Sequence, residues 1–141
     1  MIKIQKQFSE VARKGIISMY ENMVAHDDVD QMGYLNNKIF QKIAILQGSE
    51  IEMERYIAAY ATIMFELLTQ ETREQPPALH HRYMMSALYY LCDPFDYFPD
   101  MQHEDAHADD ALVINHCLEK IAAESGETMK RIRNFINDSN I

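Results

Sequence analysis

The stretch SEIEMERYIAAYATIMFELL, residues 49–68, decides the class of fold. Its apolar side chains recur every three or four residues, which places them on one face of an α-helix. Ser49 followed by Glu52 has the spacing of a capping box, so we expect this helix to begin directly after Gly48. The apolar face consists of Met53, Ile57, Tyr60, Met64, Leu67 and Leu68.

The same helical period appears in five other parts of the chain. The further predicted helices are about Ser9–Ala25, a second one that ends at Gly48, about Leu79–Leu91, a fifth marked by Ala111–Ala122 and a short sixth around Met129–Phe135. The two-residue alternation typical of strands is absent. A length of 141 residues suits one domain. The chain is therefore predicted to be all-α, a single compact bundle of five or six helices over residues 1–141.

The charge of the chain is strongly negative and uneven. The formal net charge is −9, and no Lys or Arg occurs from Tyr83 through Glu119, where eight residues are acidic. This balance disfavours direct nucleic acid binding and favours a cation or a basic protein partner. No apolar run reaches the length of a membrane span, and the N-terminus has no signal-like apolar core, so a cytoplasmic protein with reduced thiols at Cys92 and Cys117 is expected.

The acidic segment, CDPFDYFPDMQHEDAHADDA at residues 92–111, has seven acidic residues among its twenty and no Lys or Arg. One interpretation is structural. Asp93 before Pro94 is typical of a helix N-cap. Asp109 or Asp110 would likewise cap the fifth helix, and the other would face the positive end of its dipole.

The alternative interpretation is a metal site. Clustered carboxylates repel one another unless they are protonated, hydrogen-bonded or neutralised by a cation. Oxygen ligands suit Mg²⁺, Mn²⁺ or Ca²⁺, whereas two His four residues apart suit Zn²⁺, with Glu104 or Asp105 as a further ligand. The candidate ligands are Asp96, Asp100, Asp109, Asp110, His103 and His107.

Residues 103–107, His-Glu-Asp-Ala-His, also fit the HExxH pattern of zinc proteases. The surrounding segment is short and lacks the long apolar helix of those enzymes, so a protease is the weaker interpretation. A further ligand would have to come from His80, His81, His116 or Glu119. His80 and His81 are themselves expected at the surface, in the first turn of a helix, with a ligand role as the alternative.

Residues 87–114, ALYYLCDPFDYFPDMQHEDAHADDALVI, combine an apolar helix, a Pro-x-Asp-apolar-apolar-Pro-Asp turn and an Asp-Asp pair that opens the next helix. This pattern resembles the YkvA-like domain, a bacterial family of unknown function. The resemblance implies a helix-turn-helix segment at about residues 79–123. The resemblance implies a helical fold and an Asp-rich turn, but no activity. The connection MQHEDAHA is polar where the family's is apolar with a Gly, so membrane association is not expected. The matching positions are Pro94, Asp96, Pro99, Asp100, Asp109 and Asp110.

These observations favour a small soluble binding or regulatory protein whose Asp-rich turn binds a divalent cation or a basic partner protein. One alternative is an acidic immunity, antitoxin or nucleic-acid-mimic protein that covers a basic enzyme. Another is a metal-dependent hydrolase, although a binding role is favoured over catalysis. Homo-oligomerisation through a Met- and Tyr-rich face stays open. The residues expected to contact a partner are Asp93, Asp96, Asp100, Glu104 and Asp105.

Overall fold

The computed structural model describes residues 1–26, 31–71, 78–92 and 105–141. Within these ranges the chain forms six α-helices and no strand, which confirms the predicted all-α fold. None of these helices is both long and apolar enough to cross a membrane. The helices are α1 (Glu10–His26), α2 (Gln31–Gln47), α3 (Glu52–Glu71), α4 (Leu79–Cys92), α5 (Ala108–Glu124) and α6 (Gly126–Asp138).

Helix α4 lies at the centre of the bundle, where it packs against α1, α2, α3 and α5. Eight of its 14 residues are buried, and they point in every direction around its axis. A helix surrounded in this way cannot rely on water to satisfy its polar groups, so other helices must supply partners. These partners include ionisable side chains near both ends of α4.

One backbone carbonyl of α4 joins three helices. The hydroxyl of Tyr20, on α1, donates a hydrogen bond of 2.7 Å to the carbonyl oxygen of Tyr83. The thiol of Cys117, on α5, donates to the same oxygen at 3.4 Å. Tyr20 is completely buried, and burial raises the pKa of its hydroxyl far above the ordinary value, so the group stays protonated and keeps donating.

Two serines define how neighbouring helices connect. The hydroxyl of Ser49 accepts a hydrogen bond of 3.0 Å from the backbone N–H of Ile51, and α3 begins only at Glu52. The predicted capping box is therefore wrong, because the hydrogen bonds of α3 begin at the carbonyl of Ile51, which accepts from the N–H groups of Glu54 and Arg55. Ser125 closes the last turn of α5 through its N–H to Ile121, and its hydroxyl accepts from the N–H of Thr128 in the first turn of α6.

The N-terminal segment is fixed to α5 by one amide side chain. Oδ1 of Asn115 accepts from the backbone N–H of Ile2 at 2.8 Å, and Nδ2 of Asn115 donates to the carbonyl of Ile2 at 2.9 Å. The amide thus satisfies both backbone hydrogen-bonding groups of Ile2, as a neighbouring β-strand would. Ile2 is 4% exposed, so the pair of bonds also holds an apolar side chain in the core.

We expect Asn115→Asp to lower the free energy of unfolding by about 1–2 kcal/mol, because an oxygen would face the carbonyl of Ile2 in place of a donor. Thermal denaturation should show a drop in Tm of roughly 3–8 °C. Asn134→Asp, at an exposed position of α6, is the control and should stay within about 0.5 kcal/mol of the parent. Equal effects of the two substitutions would contradict the role assigned to Asn115.

Candidate functional site

Two adjacent carboxyl groups are buried in the first turn of α5. Asp109 is 1% exposed and Asp110 is 3% exposed. Carboxylates lose favourable hydration when they are buried, and two of them side by side also repel each other. Such a pair is retained only where hydrogen-bond donors, protons or cations compensate, so its surroundings reveal what the site can do.

Each of the two carboxyl groups has its own partner. The hydroxyl of Tyr90, near the end of α4, donates to Oδ2 of Asp109 at 2.9 Å. Nδ1 of His107 lies 2.9 Å from Oδ2 of Asp110. The positive end of the α5 dipole also favours negative charge here. The residue before α5 is His107, so the prediction that Asp109 or Asp110 caps this helix is wrong. Both lie within its first turn, where the side chain of Asp109 reaches Tyr90 on α4 and that of Asp110 reaches His107.

The His107–Asp110 pair holds a proton near neutral pH. Burial raises the pKa of Asp110 to about 7, although the hydrogen bond from His107 opposes this effect. The same hydrogen bond is the main cause that raises the pKa of His107. Lys42 lowers the pKa of both groups from a longer distance. Burial also raises the pKa of the nearby Cys92 thiol to about 11, so this sulfur is protonated and a poor nucleophile.

We expect Asp110→Asn to flatten the pH dependence of stability. Between an ordinary Asp pKa near 4 and the folded value of about 7, the folded protein keeps a proton that the unfolded chain has lost. The stabilisation that the Asp110 carboxyl contributes is therefore fully present below about pH 4 and is lost as the pH rises through 7. His107 acts in the same direction because its pKa is also raised.

Urea denaturation from about pH 5 to about pH 8 would measure this effect. The parent should lose up to about 1.4 kcal/mol more per pH unit than Asp110→Asn. Asp105→Asn, at a partly exposed position just before α5, is the control and should keep the parent's slope. Parallel curves for the parent and Asp110→Asn would show that the buried carboxyl does not hold the proton.

The structure describes four of the residues that were predicted to bind a metal or a partner. It brings His107 and Asp110 together and buries Asp109 beside them, while Asp105 lines a separate cavity of about 290 Å³ with Lys3 and Lys6. The metal and protease interpretations stay predictions. The candidates that lie outside the described residues are Asp93, Asp96, Asp100, His103 and Glu104.

The predicted additional ligands have other neighbours. His116 Nε2 lies 2.9 Å from a carboxylate oxygen of Glu21, and Glu119 is exposed. His80 and His81 both lie near Glu71, at the end of α3. The predicted surface position is wrong for His81, which is 3% exposed, because the carboxylate of Glu71 provides a hydrogen-bond partner inside the protein.

Sequence reasoning missed Tyr90 and Glu71. Nothing in the sequence separates Tyr90 from the neighbouring Tyr89, and its partner Asp109 follows 19 residues later. Glu71 belongs to the polar residues that end α3. Its position at the end of α3 could have indicated that it lies near the start of α4, because the end of one helix and the start of the next lie close together when the connection between them is short.

Comparison of the chain with family models, with curated proteins and with solved structures found no match. The resemblance to the YkvA-like domain therefore stays a prediction.

Proposed function

We propose that this chain is a small acidic binding protein whose acidic segment, residues 92–111, receives a positively charged group of a partner protein. The observation that carries the proposal is the charge distribution: eight acids and no Lys or Arg from Tyr83 through Glu119. A surface of one sign attracts a partner of the opposite sign over several ångströms and raises the rate of association.

The acids of the segment fall into two groups: Asp109 and Asp110 have partners inside the protein, and the others are proposed to contact a partner protein. Tyr90 and His107 engage these two carboxyl groups inside the protein, so we assign them to fixing the junction of α4 and α5. The remaining acids are the proposed contact set, with Asp105 partly exposed among the described residues. These are Asp93, Asp96, Asp100, Glu104 and Asp105.

Proton exchange at the His107–Asp110 pair would couple binding to pH. A cationic group placed near Asp110 favours the ionised carboxylate, whereas burial favours the protonated form and raises its pKa to about 7. A basic partner that binds close to this carboxyl should therefore release a proton and bind more tightly as the pH rises. The free thiols of Cys92 and Cys117 suit a reducing, cytoplasmic setting for this role.

We expect the triple substitution Asp93→Asn, Asp96→Asn and Asp100→Asn to weaken binding of a labelled lysine-rich peptide by roughly 10–100-fold. Three lost ionic contacts of about 0.5–1 kcal/mol each give this range. Fluorescence anisotropy in the presence of a chelator is the measurement. Binding to the parent should also weaken steeply as salt rises from about 0.01 to 0.15 M.

The matched control is Glu50→Gln, Glu66→Gln and Glu124→Gln, which removes the same charge from exposed positions outside the segment. Its affinity for the peptide should change by less than about threefold, because salt screens exposed charges that do not contact the peptide directly. Equal losses in the two triple variants would mean that net charge alone attracts the peptide and would contradict the proposal. A requirement for added Mg²⁺ or Ca²⁺ would instead assign the segment to a divalent cation.

A further inference from the structure

A second cluster of ionisable side chains lies at the opposite end of α4. Glu71 is the last residue of α3, and His80 and His81 are in the first turn of α4. Their candidate ligand atoms all lie within 4.8 Å of one another. We propose that these three residues form a binding site for a divalent transition metal of the Zn²⁺ type. This inference is independent of the partner-binding function proposed above.

The two imidazoles converge on one carboxylate oxygen. Nε2 of His81 lies 3.0 Å from Oε2 of Glu71, and Nε2 of His80 lies 3.7 Å from the same atom. Consecutive residues of a helix point in directions about 100° apart, so neighbouring side chains normally diverge. Here the ring centroids are 4.3 Å apart, which places two nitrogen ligands and one oxygen ligand around a common point.

The spacing is close to that of a coordinated metal. Bonds of about 2.0–2.1 Å in a tetrahedral site leave neighbouring ligand atoms about 3.3 Å apart. The two separations between Glu71 and the histidines, 3.0 and 3.7 Å, bracket this distance. His80 is 19% exposed, so its ring has room to rotate toward a metal without displacing the core.

The carboxylate is held in the orientation that a ligand needs. The guanidinium of Arg131, on α6, donates to Oε1 of Glu71 at 2.8 Å and to the side-chain oxygen of Gln70 at 3.2 Å. Oε1 is thereby engaged, and Oε2 faces the two histidines. Carboxylate ligands are commonly fixed by an outer hydrogen bond of this kind.

One further observation indicates that the cluster does more than join helices. A cavity of about 380 Å³ opens on the three ligands and is lined beyond them by Ser125, Glu127, Thr128 and Arg131.

The donor set selects the class of metal. Two imidazoles and one carboxylate suit Zn²⁺ and neighbouring divalent transition metals, whereas Ca²⁺ and Mg²⁺ prefer oxygen ligands alone. Three protein ligands leave a fourth position, which would face the cavity. This is the arrangement of sites in which water or a small ligand completes the coordination. Glu127 and Thr128 on the cavity wall lie where they could contact such a ligand.

We expect untagged protein to bind one equivalent of Zn²⁺, as measured by elemental analysis after removal of free metal. Co²⁺ should give a visible absorption band and be displaced by Zn²⁺. His80→Ala and Glu71→Gln should each weaken the affinity by more than about tenfold, since each removes one ligand. Zn²⁺ should raise the Tm of the parent in a concentration-dependent way, and Mg²⁺ and Ca²⁺ should not.

The matched control is His116→Ala, because His116 also lies 2.9 Å from a glutamate, Glu21, but outside the cluster. It should keep the full stoichiometry and affinity. A variant with Asp96→Asn, Asp100→Asn and Asp110→Asn should keep them as well, which separates this site from a cation bound by the acidic segment. Circular dichroism of the metal-free variants checks that each remains folded.

Three results would overturn the proposal. These are no bound metal in the parent, unchanged affinity in both His80→Ala and Glu71→Gln, or an equal loss in His116→Ala. In each case the cluster would be a network of hydrogen bonds and ion pairs that joins α3, α4 and α6, and its cavity would hold water alone.

Discussion

The burial of α4 on every side is the constraint on which the rest of the structure depends. A helix in the middle of a small bundle must exchange the water around its polar groups for side chains of other helices. Tyr20 and Cys117 provide this at the carbonyl of Tyr83, and the hydroxyl of Tyr34 donates to the carbonyl of Cys92 at the end of the helix. Side chains at the two ends of α4 likewise meet ionisable partners on other helices.

The two ends of α4 use similar side chains for different chemistry. At one end Asp110 is 3% exposed, its pKa is raised to about 7, and its partner His107 shares a proton with it. At the other end the side chain of Glu71 is 26% exposed, and its two histidine partners line a cavity. A buried carboxyl paired with one imidazole is suited to holding or releasing a proton, whereas a group that opens on a cavity has room for a cation with its own ligands.

The helices were predictable because an apolar side chain at every third or fourth position has few other structural explanations. The burial of Asp109 and Asp110 was not predictable, because Asp is rarely buried without a partner and the partner Tyr90 lies on another helix. The position of His81 depended in the same way on Glu71. Caps were predicted from local spacing, and these predictions were wrong at Ser49 and Asp109 because the helical hydrogen bonds begin at Ile51 and His107 instead.

The connection between α5 and α6 has a consequence for how the chain can change in evolution. Ser125 is the only residue between these helices, and it both closes α5 and caps α6. Substitutions that keep a capping side chain should be tolerated there. An insertion should not be, because the connection has no further residue that could adjust to it. A residue added to the start of α6 would turn the helix by about 100° about its axis. Arg131 would then face away from Glu71, so insertions and deletions at this joint should be far rarer than substitutions.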